Sequence, residues 1–130
     1  MKDLNALLPS NAMVTVTGHS LGAALATLLA IDMSANTTFP TGLYTLASPR
    51  VGDLTFHNLF NHVVPNAYRI VNRLDVVPQL PPPLFYFHVG DETELVPSNA
   101  MKLDVACEHH LTSYLNMLAT LIQQTNPLPP

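Results

Sequence analysis

Residues 18–22 read Gly-His-Ser-Leu-Gly and stand where one hydrophobic period stops and another begins. Upstream, Met13–Thr17 alternates apolar and polar residues in the manner of a strand. Downstream, Leu21–Met33 is rich in Ala and Leu and reads as a helix. No proline and no polar linker separates the two. A chain that passes from extended to helical over so few residues must turn sharply, with Ser20 at the apex and a glycine two places away on each side. Gly18 and Gly22 are expected to remove the side chains that would collide as strand and helix close on each other. The same turn lifts the Ser20 hydroxyl above the sheet. It also aims the first amides of the helix, that of Leu21 foremost, at whatever reacts with that hydroxyl. The chain has 5 glycines in all, so two of them beside one serine is a pointed use of a scarce residue.

The remaining pattern supplies a framework for this turn. Ser34–Gly42 is a polar loop, Leu43–Ala47 a second strand ended by Ser48-Pro49. Asp53 is placed to cap a helix whose Phe56, Leu59, Phe60 and Val63 recur at helical spacing. Ala67–Asn72 is expected as a third strand, followed by a proline-rich loop over Arg73–Pro83. Leu84–Val89 and Glu94–Val96 are expected to form a fourth strand with a short return across Gly90-Asp91. A last helix runs from Leu111 to Gln123 with its apolar stripe on Leu111, Tyr114, Leu115, Leu118, Leu121 and Ile122. The segment before Pro9 reads as the end of a helix, with Leu4, Leu7 and Leu8 on one side. Strands alternating with helices at this spacing imply βαβ units. The expected fold class is α/β, with a mostly parallel sheet of about four strands and flanking helices, in one domain spanning residues 1–130.

A serine hydroxyl attacks a carbonyl only when a base takes its proton and an acid orients that base. A serine held in such a strand-to-helix turn is the nucleophile elbow, in which the acid follows the serine in sequence and the histidine comes last. Asp32 lies far along the helix, Asp53 is occupied as a cap, and Asp91 reads as a turn residue. Asp75 follows the third strand, at the carboxyl end where parallel sheets place their sites. For the base, His88 falls inside a strand, whereas His109 and His110 precede the last helix; position alone does not choose between these two. His19 is expected to pack or hydrogen-bond within the elbow.

Composition narrows the alternatives. A net charge of −4 leaves no basic patch for nucleic acid or for an anionic membrane surface. No run of residues is apolar enough for a transmembrane span, and the first residues, "MKDLNALLPSN", do not read as a secretory leader. The single cysteine, Cys107, excludes an internal disulfide. His57 and His62 are not spaced to share a metal, and no metal-binding motif is present, so no metal or cofactor is expected.

The blocks "VTVTGHSLGAALATLLA", "LYTLASPRVGD", "RIVNRLDVVPQLPP", "FYFHVGDETEL" and "EHHLTSYL" occur in the order seen in the class 3 (fungal-type) lipases. The sequence resembles that family over roughly residues 5–120 and, within it, the carboxyl-terminal half of the α/β-hydrolase domain. The resemblance implies that Ser20 is the nucleophile and Asp75 the triad acid. It implies that the histidine five positions before Tyr114, His109, is the base, with His110 as the alternative. The substrate implied is a lipid or other carboxylic ester, with triacylglycerol first and a phospholipid or feruloyl ester on the same scaffold as alternatives. A non-catalytic or truncated lipase-like module is a further alternative. The family has Phe-Gly before Ser-Pro-Arg where this chain has Leu46-Ala47, and a second glycine after the elbow where it has Ala23. Family members also carry a comparable stretch before the elbow, with the lid and a second oxyanion donor. The chain alone is therefore expected to be a weak or inactive hydrolase, with an unpaired sheet edge prone to self-association.

Overall fold

The computed structural model describes residues 6–97 and 105–125. Four strands, β1 (Val14–His19), β2 (Thr41–Leu46), β3 (Asn66–Asn72) and β4 (Asp91–Leu95), form one sheet in the order β1-β2-β3-β4, every neighbouring pair parallel. The crossovers carry α1 (Leu21–Asn36) between β1 and β2, and α2 (Leu54–Val63) between β2 and β3. A short helix α3 (Val105–His109) and the longer α4 (Leu111–Thr125) follow β4. The α/β reading with a parallel four-stranded sheet and flanking helices therefore stands.

The sheet is covered unequally. On one face Val16, Leu43 and Ala67 pack with Ala26, Ala30 and Met33 of α1 and Phe60 of α2. Leu46 and Ile70, an odd number of residues from Leu43 and Ala67, point to the opposite face. There they meet Tyr114, Met117 and Leu118 of α4. That second cover reaches only the carboxyl ends of the strands. Farther back on the same face Tyr44 and Tyr68 stack on each other, ring centroids 5.1 Å apart, and both remain exposed.

Asp53 caps α2 as expected, accepting from the Phe56 amide at 2.8 Å. The fourth strand departs from expectation. Leu84–Val89 is not a strand: Phe87 makes an isolated antiparallel bridge with Gly52, and β4 begins at Asp91, which is thus a strand residue rather than a turn residue. The turn itself is real, since Gly90 takes φ 74° and directs the chain into β4. Upstream of it, Pro81, Pro82 and Pro83 have no amide to donate to a ladder. The polar groups there are satisfied locally instead, Phe87 N by Gly52 O and Leu84 N by Pro82 O, both at 2.8 Å. His88 accordingly sits outside any strand. Near the amino terminus residues 6 and 7 are helical, and Leu4 of the expected helix end lies outside the described residues.

Candidate active site

Ser20 occupies φ 57°, ψ −127°, a region that side-chain-bearing residues seldom enter. Its amide continues the sheet by donating to Leu46 O at 3.0 Å, and its carbonyl already accepts from Ala23 N at 2.9 Å, so one residue ends β1 and starts α1. The turn is closed by contact at one glycine only. A Cβ on Gly18 would lie 2.3 Å from the Gly22 carbonyl oxygen and 2.7 Å from Ala23 N. A Cβ on Gly22 would meet nothing within 4 Å, which corrects the expectation that both glycines relieve a collision. The Ser20 side chain makes no capping hydrogen bond to α1. Its hydroxyl is left for another partner, and the first-turn amides of Leu21 and Gly22 are left without intrahelical acceptors.

Asp75 is delivered by a turn built on Asn72, the last residue of β3. The Asn72 Oδ1 accepts from Leu74 N at 3.2 Å, and its carbonyl accepts from Asp75 N at 3.0 Å. Asp75 is buried, yet its carboxylate is fully engaged. Oδ1 accepts from Val77 N at 2.9 Å, while Oδ2 accepts from the Tyr114 hydroxyl at 2.7 Å and from His109 Nδ1 at 2.9 Å. The direction of the tyrosine proton is settled by its neighbours. Asn72 N can only donate, at 3.0 Å to the Tyr114 oxygen, so the phenol's own proton goes to Asp75. Burial, reinforced by the nearby negative charges of Asp75 and Glu108, pushes the Tyr114 phenol above the ordinary tyrosine range and keeps it a donor.

The turn that holds Asp75 is clamped from outside. Arg50 donates through its guanidinium to Gln79 O at 2.5 Å and Pro81 O at 2.8 Å, and its own amide donates to Leu80 O. His88 Nε2 donates to Pro78 O at 2.8 Å. Burial, and then the charge of Arg69, lowers His88 to about 4, so it holds that carbonyl as a neutral imidazole.

His109, the last residue of α3, completes the group. With Nδ1–H committed to Asp75, a neutral imidazole has Nε2 free to accept, and the Ser20 hydroxyl lies 2.7 Å from it. Ser20, His109 and Asp75 are thus joined in one hydrogen-bonded line across 89 and 34 residues of sequence. His110, the alternative base, is exposed, and its main-chain carbonyl accepts from Ser113 N and Tyr114 N at the start of α4. His19 Nε2 reaches the main-chain oxygen of His109 at 2.8 Å. Sequence reasoning did not find the parts played by Tyr114, Asn72 and Arg50. The one signal available was that a tyrosine in an apolar stripe buries a hydroxyl that needs a partner. A crevice of about 410 Å³ between β4 and α4 stands apart from this group and is lined by none of its three members.

Comparison with known proteins gives a consistent answer. Residues 1–85 match the family described as Lipase (class 3). Phospholipase A1-II 3 of Oryza sativa subsp. indica is 39% identical over 131 residues, covering 89% of this chain and 31% of that protein. A lipase of Rhizomucor miehei is 45% identical over 87 residues, covering 61% of this chain and 23% of that protein. Among solved structures, the Rhizomucor miehei triacylglyceride lipase superposes with a TM-score of 0.65 at 38% identity, over 72% of this chain and 37% of that one. The Penicillium cyclopium MDLA N225Q mutant gives 0.66 at 36% identity, over 81% and 38%. The chain spans about a third of the length of the first of these relatives. With its parallel sheet, its strand–turn–helix at Ser20 and these matches together, the chain belongs to the class 3 lipase family.

Proposed function

We propose that this chain carries the catalytic machinery of a serine hydrolase acting on carboxylic esters, with acylglycerols as the leading substrate class. The observation that carries the reading is the continuous line from the Ser20 hydroxyl through His109 to the buried Asp75 carboxylate. In the first half-reaction His109 Nε2 accepts the Ser20 proton while the oxygen attacks the ester carbonyl carbon. The tetrahedral oxyanion develops near the start of α1, where the Leu21 amide is the assigned donor. Collapse expels the alcohol, which takes the proton from His109, and leaves an ester bond between the acyl group and Ser20. Water then enters, gives a proton to His109 and attacks the acyl carbon; on collapse His109 returns that proton to the Ser20 oxygen as the carboxylic acid is freed. Asp75 holds Nδ1 protonated throughout and offsets the imidazolium charge. The hydrogen bonds from Tyr114 and Val77 stand in for the water that the carboxylate loses on burial.

A second reading, hydrolysis of the acyl ester of a phospholipid, is favoured by the rice relative that bears the name phospholipase A1. Both readings share the same reacting residues and differ only in the alcohol that leaves. Leu21 N is the proposed oxyanion donor, and loss of one such donor costs about 10²–10³ in rate. The test is hydrolysis of p-nitrophenyl butyrate, tributyrin and a diacyl phosphatidylcholine by the 130-residue chain and its Ser20→Ala variant. Release that disappears in Ser20→Ala supports the reading, and release that survives the substitution rejects it.

A further inference from the structure

Two consecutive residues of the elbow reach the same histidine. Ser20 meets the side chain of His109, and His19 meets its main chain, through Nε2 and the His109 carbonyl oxygen at 2.8 Å. We propose that His19 is a positioning residue, a tie from the elbow to the backbone of His109 that fixes the imidazole at reacting distance from Ser20. This rests on the reading of Ser20, His109 and Asp75 given above.

His109 needs such a tie because of where it sits. It ends α3, a helix of five residues, too short to hold itself by its own hydrogen bonds. Side chains from the strand ends hold it. Asn72 at the end of β3 donates through Nδ2 to Glu108 O at 2.9 Å and to Glu108 Oε2 at 2.7 Å, and His19 at the end of β1 donates to His109 O. His19 is itself well anchored. It pairs with Leu46 in the β1–β2 register, and the next amide, that of Ser20, donates to Leu46 O. The tie therefore runs from the carboxyl end of a paired strand to the least self-supporting part of the site.

The bond has one possible direction. A carbonyl only accepts, so His19 must carry its proton on Nε2. Neutral imidazole in that tautomer and imidazolium both present Nε2–H, so the tie does not depend on the charge state of His19. With the tie in place His109 is held at three points: its carbonyl by His19, Nδ1 by Asp75, and Nε2 by Ser20. Two torsions separate the His109 backbone from its ring. Without the tie, Asp75 still holds one edge of the ring, but the backbone can shift and swing Nε2 away from the serine oxygen. An error of about 1 Å at a reacting atom costs on the order of 10²-fold in rate.

Space filling is the competing role, and it is separable. The His19 ring lies 4.9 Å from that of His109 and edge-on to Tyr114 at 5.9 Å. Phenylalanine keeps a ring there without the donor, whereas glutamine places an amide donor at about the reach of Nε2 without the ring. Asparagine is polar but too short to reach the carbonyl.

The experiment compares the 130-residue chain with His19→Phe, His19→Asn and His19→Gln, and with Ser20→Ala as the reference. The readouts are covalent labelling by an alkyl fluorophosphonate, the downfield proton resonance of His109 Nδ1–H, and the urea midpoint. His19→Phe and His19→Asn are expected to lower the maximal labelling rate about 10- to 100-fold, with half-saturating probe concentration unchanged and the Nδ1–H resonance shifted or broadened. His19→Gln is expected to restore rate and resonance. Asparagine and glutamine alone decide the matter if phenylalanine does not fold. Wild-type labelling in the donorless variants, or glutamine as slow as asparagine at equal stability, overturns the proposal. The two readings fail separately: labelling that survives Ser20→Ala rejects the triad, whereas labelling lost in Ser20→Ala but untouched by every His19 variant rejects only the tie.

Discussion

The two glycines that flank Ser20 face opposite surroundings. Behind Gly18 the backbone of Gly22 and Ala23 closes to within 2.7 Å of where a side chain would begin, and beyond it His19, His109, Tyr114 and Asp75 are hydrogen-bonded to one another. Beside Gly22 there is open space, and it continues along α1 through Leu21, Leu25, Leu28 and Leu29, the first exposed by 70% and the second by 59%. The sheet repeats the contrast at its edges. Outer strand β4 carries Asp91, Glu92 and Glu94, charges that discourage pairing with another chain, whereas outer strand β1 reads Val-Thr-Val-Thr-Gly-His and carries no Asp, Glu, Lys or Arg. A site is thus finished on one side of the nucleophile and open on the other. Matching residue patterns around Ser20 do not imply matching physical roles.

The largest expected effect lies on the finished side. Asp75→Asn leaves the geometry in place but removes the charge and the acceptor that set the His109 tautomer, and a fall of about 10⁴-fold in the rate of Ser20 labelling is expected. Stopped-time labelling with a fluorophosphonate measures it. Next comes Gly18→Ala. Its new methyl has backbone rather than a flexible side chain as its neighbour, so the elbow must open, and a loss of about 3 kcal/mol in urea unfolding is expected. Gly22→Ala should do the reverse: with no neighbour to meet and a helical position to fill, it is expected to gain up to about 1 kcal/mol. Equal effects at the two glycines would erase the contrast.

On the open side, lysine at Leu25 and Leu29 is expected to leave the urea midpoint within about 0.5 kcal/mol, because both side chains are exposed. A midpoint that falls well beyond this would mean that those leucines already belong to a core. A pH effect probes the clamp around the Asp75 loop. His88 is held below its unfolded value by burial, so between about 4 and 6.5 the unfolded chain binds the extra proton. Stability from this group is therefore complete above pH 6.5 and lost as pH falls toward 4. His88→Gln, which retains a donor for Pro78 O, is expected to flatten the urea midpoint through that interval.

Much of this was readable in the residues. The change of period at Ser20, the acid placed after the third strand and the alternation of strands with helices all follow from local pattern. Leu84–Val89 misled because aromatic and β-branched residues resemble a strand wherever they occur, whereas a strand needs a neighbour and available amides. The tie from His19 to His109 and the bond from Tyr114 to Asp75 join residues 90 and 39 apart, and nothing in local periodicity encodes such meetings. Ala47 sits between these cases. The glycine expected there from family resemblance gave no reason by itself, and φ 54° in the structure supplies one, since the left-handed region favours glycine.

The proposed chemistry requires that Ser20 be the reacting nucleophile and that His109 activate it. Intact-mass and peptide analysis of the chain after fluorophosphonate treatment tests it most directly. A single adduct is expected on the peptide containing Ser20, absent in Ser20→Ala and strongly slowed in His109→Ala with His110 intact. An adduct on another residue, or labelling undiminished in His109→Ala, would contradict it.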